Sequence, residues 1–465
     1  MADREFIVIG GGPAGLAATY LLAKRGIRAV CLEKDVQVGG LSRTVVRDGY
    51  RFDIGGHRFF TKFPEVNDLW HEVLGSDFLR RPRLSRIYYN HRFFNYPLKP
   101  MQALRGLGMV EAMRIIGSYA AARMHPNAPE TNLEEWVSKR FGKRLFNIFF
   151  KTYTEKIWGM PCTEISAKWA AQRIKSLSLT SALTNSIFKR KITTLIEEFD
   201  YPRYGPGQMY EAMADKIKAM GNEVSMGQEA VRIRREGETI QEVITRSGNE
   251  FQGTDFISSM PLTDLISAVD PPAPQEVLEA ARSLSYRSIV TVNLVINREQ
   301  IVPDTWIYVH SPDVRVGRIQ FYKNWSPFMV PEQSKSSLGL EYFATEGDDL
   351  WNLPDQELMR MGKEEIEKLG MCRREEITGA FVVRMPKAYP VYDSAYETNF
   401  ELIKAWVQGL RNLQPCGRYG LFRYNNADHS ILSAMYAVRT LLGEQGLDVW
   451  SINTEEDYHE ELTRE

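Results

Sequence analysis

The sequence has almost no net charge, because 58 lysines and arginines face 59 aspartates and glutamates, for a formal net charge of -1. Proteins that bind nucleic acid usually carry a strong basic excess. The balance therefore argues against a nucleic-acid partner. The hydrophobic fraction of 43% and the charged fraction of 25% are those of a globular protein. At 465 residues the chain is long enough for two or three subdomains.

Cysteine is scarce. The four cysteines, Cys31, Cys162, Cys372 and Cys416, are far apart, and no CxxC pair occurs. This pattern excludes a disulfide-rich scaffold and is typical of a reducing compartment. The seven histidines form no cluster with metal-ligand spacing, so we expect no metal site.

Long apolar runs are also missing. No uninterrupted apolar run reaches the roughly 18 residues of a membrane-spanning helix. The charged residues Asp3, Arg4 and Glu5 come before the first apolar stretch, which is unlike a signal peptide. We therefore expect no membrane span and a cytoplasmic location. A homodimer is left open.

The N-terminus carries a strand–glycine loop–helix–strand pattern. Phe6–Ile9 is a short apolar run typical of a buried parallel strand. Residues 10–15 have the spacing GxGxxG, and the residues from Leu16 to Arg25 suit a helix. A second apolar strand, Ala29–Leu32, ends at Glu33. This order predicts a dinucleotide-binding βαβ unit.

Each part of this unit has a physical role. Gly10 permits the tight turn, Gly12 lets the backbone approach a pyrophosphate, and Gly15 lets the helix pack closely on the strand. The free N–H groups of the helix N-terminus favour phosphate. Glu33 is placed to accept hydrogen bonds from the adenosine ribose, and its charge disfavours the 2′-phosphate of NADP. No second GxGxxG for a nicotinamide cofactor is found.

The residues after Glu33 continue the pattern. Gly39, Gly40, Leu41, Ser42 and Arg43 resemble the GG-motif of a large flavoenzyme group that includes amine oxidases, protoporphyrinogen oxidases and UDP-galactopyranose mutases. The resemblance implies FAD as the cofactor. No site for covalent attachment of a flavin is evident in the sequence, so we expect the FAD to be held non-covalently. The cofactor-binding residues expected in these two motifs are Gly10, Gly12, Pro13, Ala14, Gly15, Glu33, Lys34, Gly40, Leu41, Ser42 and Arg43.

The FAD-binding domain of that flavoenzyme group is discontinuous, and the resemblance implies the same here. We therefore expect an α/β protein with a discontinuous Rossmann-type FAD-binding domain, an inserted helical domain and an antiparallel β-sheet domain. The FAD domain is expected over 1–65, 205–265 and 396–465. A mainly helical domain is expected over 66–204, where apolar residues recur near a spacing of 3.6, and a sheet domain over 266–395. The run Val290–Ile296 is the clearest strand of the last domain.

Four blocks resemble UDP-galactopyranose mutases and occur in that family's order. Residues 50–61 resemble its GPHxFHT block, with Gly55-Gly56-His57 in place of GPH. Residues 149–159, FFKTYTEKIWG, resemble its KGYTEKxWG block. Residues 387–393 and 417–428 resemble its YxPxxD and GRxxxYRYxDMD blocks, although Asn426-Ala427-Asp428 replaces DMD.

The resemblance to the mutases implies roles for individual residues. Phe149, Tyr153 and Trp158 take the positions that hold a uridine base by stacking. Arg287, Tyr389 and Tyr424 take positions that face a diphosphate, for which arginine is well suited. The catalytic group expected is His57, Arg287, Tyr389, Tyr424 and Arg423. Further FAD contacts are expected at His57, Val231, Arg418, Asn426 and Asp428.

The activity implied is a pyranose–furanose isomerisation of a nucleotide-linked sugar, such as a UDP-sugar, by attack of reduced-flavin N5 at the anomeric carbon. The family also uses an arginine after its WG, for which Arg173 or Lys175 could substitute. The alternative is an FAD-dependent oxidoreductase, namely a dehydrogenase, desaturase or oxidase acting on an amine, isoprenoid, porphyrin-like or sugar substrate. A non-enzymatic FAD-binding regulator is a third interpretation. Tyr153 and Trp158 could also be core aromatics.

Overall fold

The computed structural model describes residues 4–98, 100–125, 130–167, 193–195, 197–454 and 461–463. Within these ranges the strands, numbered in chain order, are β1 Glu5–Ile9, β2 Arg28–Glu33, β3 Thr44–Arg47, β4 Tyr50–Asp53, β5 Phe78–Pro82, β6 Ser85–Tyr89, β7 Arg92–Asn95, β8 Thr193–Leu195, β9 Glu198–Pro202, β10 Glu223–Met226, β11 Ala230–Glu236, β12 Thr239–Thr245, β13 Glu250–Gln252, β14 Asp255–Ser258, β15 Val269–Asp270, β16 Tyr286–Ile296, β17 Trp306–Val309, β18 Arg318–Phe321, β19 Ser336–Ala344, β20 Ile377–Pro390, β21 Leu413–Pro415 and β22 Glu461–Thr463.

The α-helices of the described ranges follow the same convention. They are α1 Pro13–Lys24, α2 Pro64–Leu74, α3 Pro100–Leu107, α4 Met109–Arg123, α5 Leu133–Phe141, α6 Lys143–Phe146, α7 Thr152–Trp158, α8 Gly207–Ala219, α9 Leu262–Ala268, α10 Gln275–Ser283, α11 Tyr322–Trp325, α12 Asp355–Lys368, α13 Tyr396–Gln408, α14 Gly417–Gly420 and α15 Ala427–Leu441. A π-helical turn, Asn147–Lys151, connects α6 to α7.

One sheet consists of five parallel strands in the order β10-β2-β1-β14-β21. Its central strand β1 pairs in parallel with β2 on one side and with β14 on the other. Its strands come from three separate parts of the chain, so the expectation of a discontinuous Rossmann-type unit is confirmed. Buried side chains of α1, α8 and α15 join the same hydrophobic core as the sheet.

A second, seven-stranded sheet has the order β20-β16-β19-β18-β17-β6-β7. Its pairings are antiparallel except for β17 with β6. The strand expected at Val290–Ile296 is the longer β16, at the centre of this sheet. The sheet domain expected over 266–395 therefore supplies five of the seven strands.

The other two strands, β6 and β7, come from the range that was expected to be mainly helical. Along β6 successive side chains face opposite cores: Ile87 packs into the cluster of the helical region, and Tyr88 packs into that of the sheet. Alternation over so few residues is easily lost beside helical patterns. The range 66–204, which was expected to be mainly helical, therefore also contributes strands to the large sheet.

Helices α3 to α7 pack around a cluster that includes Trp136, Phe141 and Phe146. Helix α5 begins after Asn132, whose Oδ1 accepts a hydrogen bond from the Glu135 N–H at 3.0 Å, a typical N-cap. The chain then runs through the π-helical turn into α7, which ends at Gly159 with a positive φ of 66°. These helices bring α7 against the large sheet.

No helix in the described ranges is long and apolar enough to cross a membrane. The four cysteines are buried and unbridged.

Candidate active site

The glycine loop between β1 and α1 forms one wall of a cleft. Gly10 has a φ of 102°, which favours glycine, and α1 begins at Pro13 with no side chain capping its first turn. A Cβ added to Gly12 would lie 4.0 Å from the Gly40 Cα, and a Cβ added to Gly40 would lie 3.4 Å from the Gly12 Cα. The two glycine motifs therefore face each other across a narrow gap, whose open α1 N-terminus suits a pyrophosphate.

Gly15 has a different role. A Cβ at this position would overlap the carbonyl oxygen of Gly10, so only glycine lets α1 approach the loop. This agrees with the packing role that the motif predicts.

Glu33, at the end of β2, is held at the same loop. Its Oε2 accepts a hydrogen bond from the Gly11 N–H at 2.6 Å, and its Oε1 accepts one from the Asp35 N–H at 2.9 Å. Burial raises the pKa of Glu33, although both N–H groups oppose the rise. Each carboxylate oxygen keeps a further lone pair, which is where ribose hydroxyls could donate.

Three further residues expected to bind FAD do not line the cleft described below. Lys34 is exposed, Arg43 forms an ion pair with Asp35 at 2.6 Å, and Val231 is half-exposed at the start of β11.

The cleft continues from the glycine loop towards the large sheet and encloses about 1180 Å³, the solvent at its open mouth included. It is lined by Gly12, Pro13, Ala14, Gly40, Leu41, Ser42, Ile54, Gly55, Gly56, His57, Arg58, Phe59, Phe60, Ser259, Ile289, Arg318, Tyr389, Gly417, Arg418, Tyr419, Tyr424, Asn425, Asn426, Ala427 and Ser430. Most of the residues expected to bind FAD therefore meet in one place.

His57 lies midway along this cleft. Its Nε2 is 2.8 Å from the Ile54 carbonyl oxygen, to which it donates, and its Nδ1 is 3.4 Å from Ser42 Oγ. Burial lowers the pKa of His57 to about 4, and the nearby Arg418 and Arg318 contribute to the fall. The imidazole is consequently neutral near pH 7, with Nδ1 left as an acceptor.

The far end of the cleft contains an arginine that the sequence motifs did not single out. Arg318, on β18, donates from Nε to Glu341 Oε2 at 2.8 Å and from Nη2 to the Tyr389 hydroxyl at 3.2 Å. Glu341 lies opposite on β19, is completely buried, and also accepts a hydrogen bond from Gln320 Nε2 at 2.7 Å. No sequence motif marks Arg318, because its partner Glu341 comes from a separate strand and meets it only through the register of the sheet.

Two tyrosines complete this end. The rings of Tyr389 and Tyr424 are stacked, with centroids 5.3 Å apart, and the Arg418 guanidinium lies 4.8 Å from the Tyr424 ring. Arg418 is fixed by hydrogen bonds to the carbonyl oxygens of Asn425 and Ala388. Burial raises the pKa of Tyr389 to about 12, so its phenol stays protonated and can donate.

The segment before α15 supplies the last wall. Asn425 and Asn426 line the cleft, and Asn425 Nδ2 is buried with no hydrogen-bond partner among the described residues. Asp428 is buried beside His429, whose Nδ1 is 3.4 Å from Asp428 Oδ1. The glycine gap, the open helix N-terminus and the unused Asn425 donor fit FAD, which carries a pyrophosphate and several hydrogen-bonding ring atoms.

The residues expected to hold a nucleobase lie on and before α7. The Tyr153 ring is parallel to the His310 imidazole and meets Tyr308 edge-on, with centroids 5.4 Å apart. It is close enough to Arg318 for the guanidinium charge to act on its hydroxyl. Trp158 is half-buried against the helical cluster. Phe149 is only 4% exposed and packs edge-on to Phe94, so it contributes to the helical core and offers no open face for stacking.

Two arginines expected in the catalytic group form hydrogen bonds with backbone carbonyl oxygens outside the cleft. Arg287 donates from Nε to the Ile157 carbonyl oxygen at 3.0 Å and from Nη2 to that of Phe343 at 2.9 Å, which ties the end of α7 to β19. Arg423 donates from Nη1 to the carbonyl oxygens of Trp450 and Ile452. Neither lines the cleft. Both serve backbone carbonyls that burial would otherwise leave without donors.

Arg173 and Lys175, the candidates for a further cation, lie outside the described residues. Among the described residues no group of three or more histidine, cysteine, aspartate or glutamate side chains could hold a metal ion.

The parallel sheet, the facing glycine motifs and the buried glutamate define an FAD-dependent enzyme. The chain belongs to the family of flavin containing amine oxidoreductases, which it matches over residues 13–394.

Solved structures show the same fold. Reduced UDP-galactopyranose mutase superposes with a TM-score of 0.84 at 21% identity, over 97% of this chain and 96% of that one. Putrescine oxidase bound to putrescine superposes with a TM-score of 0.64 at 15% identity, over 95% and 99% of the two chains. Identities this low establish the fold alone.

Curated relatives are matched over only part of their length. The L-amino-acid oxidase of Pseudechis australis is 22% identical over 330 residues, which are 64% of this chain and 58% of that protein. Protoporphyrinogen oxidase 2 of Arabidopsis thaliana is 36% identical over 69 residues, or 15% of this chain and 14% of that protein. The matches thus span less than two thirds of these relatives.

Proposed function

We propose that the protein is a mutase-like flavoenzyme that interconverts the pyranose and furanose forms of a nucleotide-linked sugar. The observation that carries the proposal is that an aromatic ring able to stack on a base lies close enough to an arginine at the end of the FAD cleft to feel its charge, while a second fixed arginine lines the same cleft. Tyr153 is the ring, and Arg318 and Arg418 are the arginines. The match of residues 149–159 to the mutase block and the similarity to reduced UDP-galactopyranose mutase support it.

The residues of the proposed substrate site have separate roles. Tyr153 and Trp158 hold the base, since aromatic faces stack on nucleobases with little dependence on sequence. Arg318, kept in place by Glu341 and Tyr389, and Arg418, kept in place by two carbonyl oxygens, attract the diphosphate. The protonated Tyr389 hydroxyl supplies a neutral donor between the phosphates and the sugar, and the Tyr424 ring stacks against Tyr389.

When bound and reduced, the flavin supplies a nucleophilic N5 for attack at the anomeric carbon. The neutral His57, oriented by Ile54 and Ser42, keeps one side of the cleft free of a titrating charge near pH 7. UDP is the leaving group that this arrangement favours, because the arginines stabilise the negative charge that develops on it.

Binding of UDP to the purified protein tests the proposal. Calorimetry should detect UDP binding, and the Tyr153→Ala variant should bind UDP roughly 5- to 150-fold more weakly, the range for one base–aromatic stack. The matched control is Tyr204→Ala, which removes an exposed tyrosine away from the cleft. Absence of UDP binding to the wild-type protein would reject the nucleotide-sugar substrate.

An assay of dithionite-reduced protein with UDP-sugars then separates isomerisation from redox chemistry. The proposal expects pyranose–furanose conversion with reduced flavin only and without oxygen uptake. A second candidate is an FAD-dependent oxidoreductase, favoured by the membership of the amine oxidoreductase family and by the similarity to L-amino-acid oxidases. Its substrate would be an amine, isoprenoid, porphyrin-like compound or sugar, and flavin reduction by the substrate with reoxidation by oxygen would support it.

A cytoplasmic location and assembly as a homodimer remain predictions from the sequence. Fractionation of cells and sedimentation of the purified protein would test them.

A further inference from the structure

Helix α4 exposes an unusual amount of apolar surface. Among the described residues thirteen large hydrophobic side chains are exposed, and five of them lie on this helix or at its end. They are Met109, Val110, Met113, Ile116 and Met124, with exposures between 57% and 80%. Scattered exposed hydrophobics are normal on a protein surface, but a contiguous group marks an interaction site.

The five side chains form one face. Met109, Met113 and Ile116 follow the i, i+4, i+7 spacing that lines up one side of a helix, and the exposed Ala120 continues it. Val110 and Met124 flank this line, and the exposed Gly117 lies between them. Residues 109–124 therefore present a continuous apolar strip to solvent, here called the α4 face.

The opposite side of α4 attaches the helix to the rest of the protein, and the α4 face takes no part in these contacts. Ile115 is buried in the helical cluster, and Ser118 Oγ accepts a hydrogen bond from the Arg144 N–H at 3.0 Å. Glu111, the only acidic residue of α4, forms ion pairs with Arg144 and Arg114. The fold thus needs the inner side of α4, and packing against the described residues does not account for the apolar outer side.

Arginines border the α4 face on both edges. Arg114 follows Val110 by one turn, and Arg123 follows Ile116 by two turns. Both are exposed, as is Arg105 at the end of α3, and the α4 face itself carries no carboxylate. An apolar strip with cationic edges matches the boundary between acyl chains and anionic headgroups of a bilayer.

A second copy of the chain is the competing occupant. A two-fold contact through this face would bring the arginine borders of both copies to one rim, where the only carboxylate of α4, Glu111, already pairs with Arg144 and Arg114. Lipid phosphates supply that negative charge. We propose that the α4 face is a peripheral membrane-binding surface, which lays α4 in the headgroup region of membranes that contain anionic lipids.

Co-sedimentation of the full-length flavoprotein with vesicles tests the proposal. The protein should sediment with phosphatidylcholine vesicles that contain phosphatidylglycerol, and much less with phosphatidylcholine alone. Added salt should weaken the binding, because the attraction is partly electrostatic. Arg114→Gln with Arg123→Gln should reduce the partition coefficient roughly 25-fold, at about fivefold for each arginine near a charged surface.

The double variant Met113→Glu, Ile116→Glu should abolish sedimentation with either vesicle. Its matched control, Leu402→Glu, alters an exposed apolar residue on α13 and should bind vesicles like the wild type. Flavin absorbance and thermal unfolding establish that both variants are folded. No binding of the wild-type protein to mixed vesicles would overturn the proposal. Dissociation of a dimer by the double variant, without any vesicle binding of the wild type, would assign the α4 face to a second copy instead.

Discussion

The imidazole of His310 lies parallel to the ring of Tyr153, with the centroids 4.8 Å apart and an angle of 4° between the planes. His310 belongs to the large sheet region and Tyr153 to α7, so the stack joins two parts of the molecule that are far apart in sequence. Lys156 adds further contacts between α7 and the sheet region, since its Nζ donates to the carbonyl oxygens of Ser311 and Val316 at 2.8 and 3.0 Å. One face of the Tyr153 ring therefore packs against the protein itself.

Replacing His310 should therefore weaken UDP binding without removing FAD. A stacked aromatic pair contributes about 0.5–1.5 kcal/mol, so His310→Leu should raise the Kd for UDP roughly two- to tenfold as the Tyr153 ring loses its fixed orientation. Calorimetry measures the Kd, and flavin absorbance checks that the cofactor is retained. An unchanged Kd would show that the stack does not orient a binding residue.

The same histidine should make stability depend on pH. Burial lowers the pKa of His310 to about 3 from an ordinary value of 6.5, so between these values the unfolded chain binds a proton that the folded chain does not. Stability is lost as the pH falls from 6.5 towards 3, and the loss from this group is about 2 kcal/mol at pH 5. The free energy of unfolding, measured with urea at a series of pH values, should fall less steeply below pH 6.5 for His310→Leu than for the wild type. The same pH dependence of the free energy of unfolding in both proteins would mean that His310 titrates normally in the folded protein.

The buried pair of Arg318 and Glu341 should dominate stability at the far end of the cleft. Removing only the arginine, in Arg318→Met, leaves a fully buried carboxylate without its partner, which costs about 3–5 kcal/mol. The double variant Arg318→Met, Glu341→Gln should recover part of this loss. Chemical denaturation of the two single variants and the double variant gives the coupling energy. Strictly additive losses would show that the two side chains do not depend on each other.

FAD binding should fail when the glycine loop is filled. Gly15→Ala places a Cβ against the Gly10 carbonyl oxygen and should give colourless protein, because the loop can no longer hold the α1 N-terminus beside the pyrophosphate. Gly117→Ala is the matched control, since Gly117 also lies in a helix and an added Cβ there meets no atom within 4 Å. Equal flavin content in both variants would contradict the role assigned to Gly15.

Several features could be predicted from the sequence because they depend on short, local patterns. The β1–α1–β2 unit follows from an apolar run, three glycines and a strand that ends in Glu33, and the structure confirms the strands and the helix within a few residues. The parallel sheet follows from the same pattern, because the glycine turn brings a helix N-terminus to a pyrophosphate. FAD was implied by the resemblance of the motif at Gly39 and Gly40, and the roles of Tyr389, Tyr424 and Arg418 by the resemblance of their blocks to those of the mutases.

Other features depend on which distant residues the fold brings together, and only the tertiary structure decided them. Arg318 is one arginine among many in the sequence, and it becomes a cleft residue because β18 pairs with β19 and places Glu341 opposite it. Arg287 and Arg423 were expected in the catalytic group, but carbonyl oxygens of neighbouring segments accept hydrogen bonds from their guanidinium groups. A motif specifies a residue type, whereas the partners that satisfy a buried charge or hydrogen bond come from the packing of the whole chain.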